Sequence, residues 1–479
     1  MLKRLFIVTF IVFGAFLTLC LYRTFAYDTS IVEETPSTTD LEYTFKIGNS
    51  SIKQITVDSG ETKYYDVVLS NPNPAKISYG VYYEMVSPSS KPDGFSIEYT
   101  SKSTGDSTGK VDKEGNIILN LVVINTSSSS VTIKLGSIAG YVNGGDLELS
   151  SNQEFIPKIT AAKYIMSLDI GSILDDFGNG VYKVHHDAIP AENSATGEEI
   201  KETTDYRYGG IYADNNICLD ANSQSECPDN HKYKIIGVFR DDYDNKYKIK
   251  VMKSTYLTDG TTNRFSWDKK SDGTYSNYWS NDITGNNGST IMQLLNEIWI
   301  TGTSGVYYND TTVNIDFKDY ALSDNAKKLI SEKSRYYLGK ININFDYNTV
   351  KELYIEEREK NKDENINYWD GEIGLIYPSD YGYASGEACS KDRELANYDI
   401  GNCTFQSSWF WQINYSTGII GVISSYIGNN SQFVFERGYA NTRHSNEERD
   451  IYPTFYLKPE VVITSGDGSE QNPYQISLP

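Results

Sequence analysis

Aromatic side chains are the most conspicuous chemical resource of this chain. Ser407-Ser408-Trp409-Phe410-Trp411-Gln412-Ile413 puts Trp409 and Trp411 on one face of an extended strand and Phe410 on the other. Such a face belongs either to a core or to a platform that stacks on sugar rings or anchors a protein interface. Trp279 and Trp369, each flanked by tyrosine and polar residues, pose the same choice. Trp279, Trp369, Trp409 and Trp411 are therefore the candidate ligand-binding residues.

Catalytic and metal chemistry find less support. His185-His186-Asp187 looks like a metal motif, but consecutive residues of an extended chain point to opposite faces, so the two rings do not easily share one ion. The other histidines are His231 and His444, and no H-E-x-x-H or Cys/His zinc spacing occurs. Asp241, Asp242, Asp244 and Asn245 carry oxygens suited to Ca2+, yet lack the glycine and distal glutamate of an EF-hand loop and read as an acidic hairpin tip. Gly105-Asp106-Ser107-Thr108-Gly109 fits G-x-S-x-G, but a nucleophile elbow needs a strand before it and a helix after it. Here the stretch reads as a Ser/Thr/Gly-rich turn. The expectation is no catalytic residue, no metal site and no cofactor, with Ca2+ unsupported. A glycosidase pair stays open among the 64 Asp+Glu.

Of the five cysteines, Cys20 lies in an apolar run. Cys218, Cys227, Cys389 and Cys403 remain, and four cysteines allow three connectivities. The sequential pairing, Cys218–Cys227 and Cys389–Cys403, closes two short polar loops and is expected in an oxidising compartment, against four free thiols as the alternative.

The elements that hold these residues can be read from patterning over 479 residues, a length suited to two or three domains. Lys and Arg number 43 against 64 Asp and Glu, a formal charge of −21, which argues against nucleic acid as a partner. Leu5 to Tyr22 is an uncharged apolar run of eighteen residues behind Lys3 and Arg4. Residues 1–26 are thus a membrane anchor with a cytoplasmic N-terminus, or a signal peptide cleaved after Ala26. Residues 27–40 are a polar, acidic spacer.

From Leu41 the period becomes two, as in Ile77, Tyr79, Val81 and Tyr83, and again in Val131, Ile133 and Leu135. Turn signals such as Asp58-Ser59-Gly60 and Lys91-Pro92-Asp93-Gly94 separate about seven short strands, which makes 41–155 an immunoglobulin-like all-β sandwich. Beyond it, helical spacing appears behind Thr160 (Ala161, Tyr164, Ile165, Leu168), Ser289 (Ile291, Leu294, Leu295, Ile298) and Ser323 (Ala326, Leu329, Ile330). Strands alternate with these helices, so 156–479 reads as one α+β domain. Its charge run at 351–366 reads as a solvated helix or insertion.

The order of segments resembles a group of anchored cell-surface proteins of low-GC Gram-positive gut bacteria. These join an N-terminal anchor, an immunoglobulin-like module and a C-terminal domain similar to the C-type lectin fold of formylglycine-generating enzymes. AAKYIMSL (161–168), YRYGGIYADNNICL (206–219), YKIIGVF (233–239), IGLIYPSDYGYA (373–384) and IYPTFYLKPEVVITSGDGSEQNPY (451–474) carry the resemblance. It implies a C-type-lectin-like scaffold rather than an activity. The Glu-Pro-Asn and Gln-Pro-Asp loops of calcium lectins are absent, and no cysteine follows Cys403, so the oxidase chemistry is not carried over.

Together these readings give a membrane-tethered extracellular binding or structural surface protein, held by a single-pass N-terminal helix in the cell membrane with its bulk extracytoplasmic. Its expected partners are the membrane and a neutral glycan or protein ligand. The alternative is an extracytoplasmic glycan- or cell-wall-active hydrolase.

Overall fold

The computed structural model describes residues 44–47 and 54–478, apart from 73–75, 102–109, 113, 142–148, 169–179, 221–226, 277, 280–287, 310, 342–347, 361–366, 387–388, 396–418, 426–430 and 437–438. Among the described residues strands hold 44% and helices 13%, so the fold is mostly β. Among the described residues no helix is long and apolar enough to cross a membrane. The expected anchor or signal peptide at 1–26 and the spacer at 27–40 lie outside the described residues. Two compact units meet at the Ile159/Thr160 junction.

The first unit is a β-sandwich. Its strands are β1 (Thr44–Ile47), β2 (Gln54–Val57), β3 (Glu61–Ser70), β4 (Ile77–Ser87), β5 (Phe95–Ser101), β6 (Lys110–Val111), β7 (Asn116–Asn125), β8 (Val131–Tyr141) and β9 (Gln153–Phe155). One sheet runs β1-β3-β7-β5; the other runs β2-β8-β4-β6, with β9 also on β4. Alternation builds the core: Tyr65, Val67 and Leu69 of β3 and Ile117, Leu119, Leu121 and Val123 of β7 turn inward, against Ile77, Val81 and Tyr83 of β4 and Val131, Ile133 and Leu135 of β8. The Asn125 amide donates to the Val57 and Ser129 carbonyls, 2.8 Å each, closing one end of the sandwich. Ile156 is buried in the same core and its N–H bonds Val81 O at 2.8 Å, while Lys158 bridges to Tyr99. The boundary expected at 155/156 therefore falls four residues later.

The second unit is organised around a large sheet. Its first strands are β10 (Gly180–His186), β11 (Thr203–Gly209), β12 (Asn216–Cys218), β13 (Lys232–Asp241) and β14 (Lys246–Lys253). The sheet runs Ile373–Gly374, Thr454–Tyr456, β14, β13, β12, Tyr474–Ser477, Val462–Ser465, and β11 also pairs with β13 while carrying β10 on its other edge. The strand Tyr474–Ser477 lies parallel to β12; the other pairings are antiparallel.

Helices form where the capping residues stand. Thr160, Ser289 and Ser323 accept from the N–H of Lys163, Met292 and Ala326, opening Ala161–Ser167, Thr290–Gln293 and Asp324–Leu329. The second continues as a π-helical turn, Leu294–Trp299. These elements are short, so packing against the sheet rather than helical propensity keeps them formed.

Candidate functional site

A network of buried charges lies where β11, β13 and β14 meet. In register, Arg207 of β11 and Lys250 of β14 both stand opposite Gly237 of β13, so two cations flank one glycine. A Cβ at Gly237 would lie 2.5 Å from the Tyr206 carbonyl oxygen, which explains the absence of a side chain there. Arg207 and Lys250 are each 1% exposed, and unpaired charges at that depth would be costly. Asp380 compensates both: its Oδ1 accepts from Arg207 Nη1 at 2.9 Å and its Oδ2 from Lys250 Nζ at 2.6 Å. The same Oδ2 accepts the Tyr377 N–H at 3.1 Å, fixing the first turn of the helix Pro378–Tyr383 to the sheet. Burial pushes the Asp380 carboxyl up, but Lys250 and Arg207 outweigh it and hold it below its usual value.

Asp205, two residues from Arg207 and on the same strand face, supplies the second carboxylate. Its Oδ2 takes Arg207 Nη2 at 2.8 Å, Arg207 Nε at 3.2 Å and His186 Nε2 at 2.9 Å. Burial raises its pKa, yet Arg207 and then His186 prevail and hold it at about 2. An ionised carboxylate only accepts, so the proton on His186 sits at Nε2. Burial lowers the His186 pKa despite Asp205, leaving a neutral ring. The Arg207 guanidinium lies between the rings of Tyr383 (4.4 Å) and Phe239 (4.6 Å).

The third part comes from the charge run at 351–366, which is not the solvated face its composition suggests: Glu357 and Arg358 are buried. The helix Val350–Glu356 opens on a capping box between Thr349 and Glu352. Past its end, Glu357 and Arg358 turn inward, at 0% and 8% exposure. Glu357 accepts from Ser379 N at 2.8 Å, Ser379 Oγ at 2.6 Å and Arg358 Nη1 at 3.2 Å. Burial nevertheless pushes its carboxyl up to about 7. Arg358 covers the Tyr354 ring at 3.5 Å and sits 5.4 and 5.5 Å from Tyr377 and Tyr337. The remainder of the run, 361–366, lies outside the described residues.

Beside the network opens a cleft of about 260 Å3, between the segment following β10 and the outer face of the helix Val350–Glu356. His186, Asp187, Lys351, Tyr354, Ile355 and Glu359 line it, and Ile189 and Pro190 complete its apolar wall. The His186 and Tyr354 rings stack, 3.5 Å between centroids and 6° from parallel. With Nε2 committed to Asp205, His186 keeps Nδ1 as an acceptor that engages no described residue. The Glu359 side chain makes no ion pair or hydrogen bond among the described residues, and burial raises its pKa. His185 also lines the cleft, and its exposed ring lies 3.6 Å from Asp187.

The candidate tryptophans fare differently. Trp279 and Trp369 are 2% and 4% exposed and face each other at 5.7 Å, with Trp267 and Tyr336 packed beyond them. Their rings belong to the core and are not open platforms, which corrects that expectation. The loop leading to Trp279 is drawn in by Asp268, whose carboxylate accepts from the N–H and hydroxyl of both Ser276 and Thr290. Trp409 and Trp411 lie outside the described residues, as does the G-x-S-x-G stretch at 105–109.

Cys218 and Cys227 form a disulfide. Cys389 is also disulfide-bonded, while its expected partner Cys403 lies outside the described residues. At the acidic hairpin tip, Lys248 Nζ fills the space a cation would take, 2.6 Å from Asp241 and 3.0 Å from Asp244. Asp242 accepts from the hydroxyl of Tyr337 and from Arg240. Among the described residues no group of three His, Cys, Asp or Glu could hold a metal ion. Set against models of known families, curated proteins and solved structures, the chain finds no match.

Proposed function

We propose that this chain is a membrane-tethered extracellular binding protein, with an immunoglobulin-like sandwich carrying a C-terminal, C-type-lectin-like unit that holds a glycan or protein ligand without transforming it. The proposal extends the resemblance to anchored surface proteins of Gram-positive gut bacteria. The observation that carries it is the cleft beside His186. It is concave, partly apolar, equipped with a few acceptors, and walled by segments that the buried ion pairs hold in place, so a ligand would meet a preformed surface. The Cys218–Cys227 disulfide supports an oxidising compartment. The experiment is binding of the full-length chain to glycan arrays, cell walls and extracellular proteins, with product analysis. Saturable binding without turnover, lost on filling the cleft with Ile355→Trp, is expected. Binding indifferent to that substitution would remove the cleft as the site.

One observation favours the hydrolase alternative. Asp205 holds His186 Nε2 and leaves Nδ1 unprotonated in a residue that lines the cleft, the arrangement of a general base. Product release from a bound ligand, abolished by His186→Gln in a variant that still melts cooperatively, would establish it.

A further inference from the structure

We propose that the cleft beside His186, taken above as the ligand site, receives an alkylammonium group: a lysine side chain presented by a protein partner.

Hydrogen-bonding capacity sets the requirement. His186 is 7% exposed, its Nε2–H is committed to Asp205, and Nδ1 offers a lone pair with no donor from the protein. Glu359 is half-buried and its carboxylate likewise lacks a donor. Asp187, at the mouth, has only His185 at 3.6 Å. Lys351, the lysine in the wall, is engaged by Asp392 at 2.8 Å. The cleft thus presents acceptors and negative charge, and a ligand of the same kind would leave them unpaired.

An ammonium carries three donors and no acceptor, a match for one imidazole nitrogen and two separate carboxylates. A guanidinium fork pairs best with both oxygens of one carboxylate, so it would engage Glu359 rather than all three acceptors. Ile189, Pro190 and Ile355 give the methylene stem an apolar wall. At about 260 Å3 the space falls just below the range of drug-sized ligand pockets, so it suits one side chain better than an oligosaccharide. The formal charge of −21 draws basic protein surfaces toward the chain.

The test titrates the full-length chain with a capped Gly-Gly-Lys-Gly-Gly peptide, its norleucine counterpart and glucosamine, following histidine nitrogen resonances. The lysine peptide is expected to shift His186 Nδ1 and to bind at least tenfold more tightly than the norleucine peptide. Glu359→Gln should weaken it tenfold or more with an unchanged melting temperature. Ile355→Lys, which places an ammonium in the cleft from its own wall, should abolish it. Equal binding of the norleucine peptide, or indifference to Glu359→Gln, would overturn the proposal. Glucosamine binding as tightly as the lysine peptide would reassign the site to an amino sugar and overturn the protein partner. If Ile355→Trp abolishes binding of an array-identified partner that the lysine peptide fails to displace, the cleft stands as the site and lysine recognition fails. If neither affects that partner, the cleft itself is not its site.

Discussion

The sandwich and the second unit are both built from strands around an apolar core, yet the second unit buries charges as well. Among the described residues of the sandwich, Asn71 and Asn125 are the buried polar side chains, and both close its edges by bonding carbonyls. In the second unit Asp205, Arg207, Lys250, Glu357, Arg358 and Asp380 occupy the interior. Apolar burial is non-directional and tolerates rearrangement as long as volume is kept. Buried ion pairs gain little net stability, because desolvation offsets attraction, but they demand one geometry. The second unit is therefore suited to holding a surface in one shape.

That contrast can be broken experimentally, because all six tryptophans lie beyond residue 160, so their fluorescence reports on the second unit alone. The largest effect should come from Asp380→Ala, which strands Arg207 and Lys250 together. We expect a loss of about 3–5 kcal/mol in the tryptophan-detected urea transition, with the far-UV signal of the sandwich unmoved. A loss below 1 kcal/mol would mean that water reaches the pair and that the network is not a rigid element.

Leu121→Ala in β7 should do the reverse. Leu121 is 0% exposed, and its truncation should cost the sandwich roughly 3 kcal/mol while leaving tryptophan emission unchanged. A shift of the tryptophan transition would show that the two units unfold as one.

The smallest effect is in acid. Asp205 is held at about 2, below its unfolded value, so its stabilisation is present above pH 4 and lost as pH falls toward 2. Neutral buried His186 has the same sign but acts earlier, as pH falls below its unfolded value near 6.5. Glu357 opposes both, since a pKa raised to about 7 makes stability fall as pH climbs from 4.5 to 7. Asp205→Asn should remove roughly 2 kcal/mol of acid-dependent loss from the tryptophan transition between pH 4 and pH 2. An unchanged slope there would assign the acid sensitivity elsewhere.

Much of the architecture was legible because one face of each strand is buried: Ile77, Tyr79, Val81 and Tyr83 all turn inward as their spacing predicts. The three N-caps were legible because Thr160, Ser289 and Ser323 act on residues three positions away. The site was not legible in the same way. Tyrosine and polar neighbours made Trp279 and Trp369 look like loop residues, but their burial depends on partners such as Trp267 and Tyr336, remote in sequence. The Arg207–Asp380 pair spans 173 positions, which no local pattern encodes. One signal was present in 351–366. Val350, Leu353 and Tyr354 define an inward stripe, and Glu357 continues it at helical spacing, so that carboxylate was aimed at the core.

The parallel pairing of β12 with Tyr474–Ser477 bears on how the protein is made. A strand near the front of the second unit is zipped to one at its very end, and β14 waits for Thr454–Tyr456 in the same way. Until residues 454–477 have left the ribosome, the sheet lacks the strands that pair with β12 and β14. The sandwich, whose strands all precede residue 160, can close first. The second unit folds only once residues 454–477 have emerged, as expected for a topology of long sequence separations.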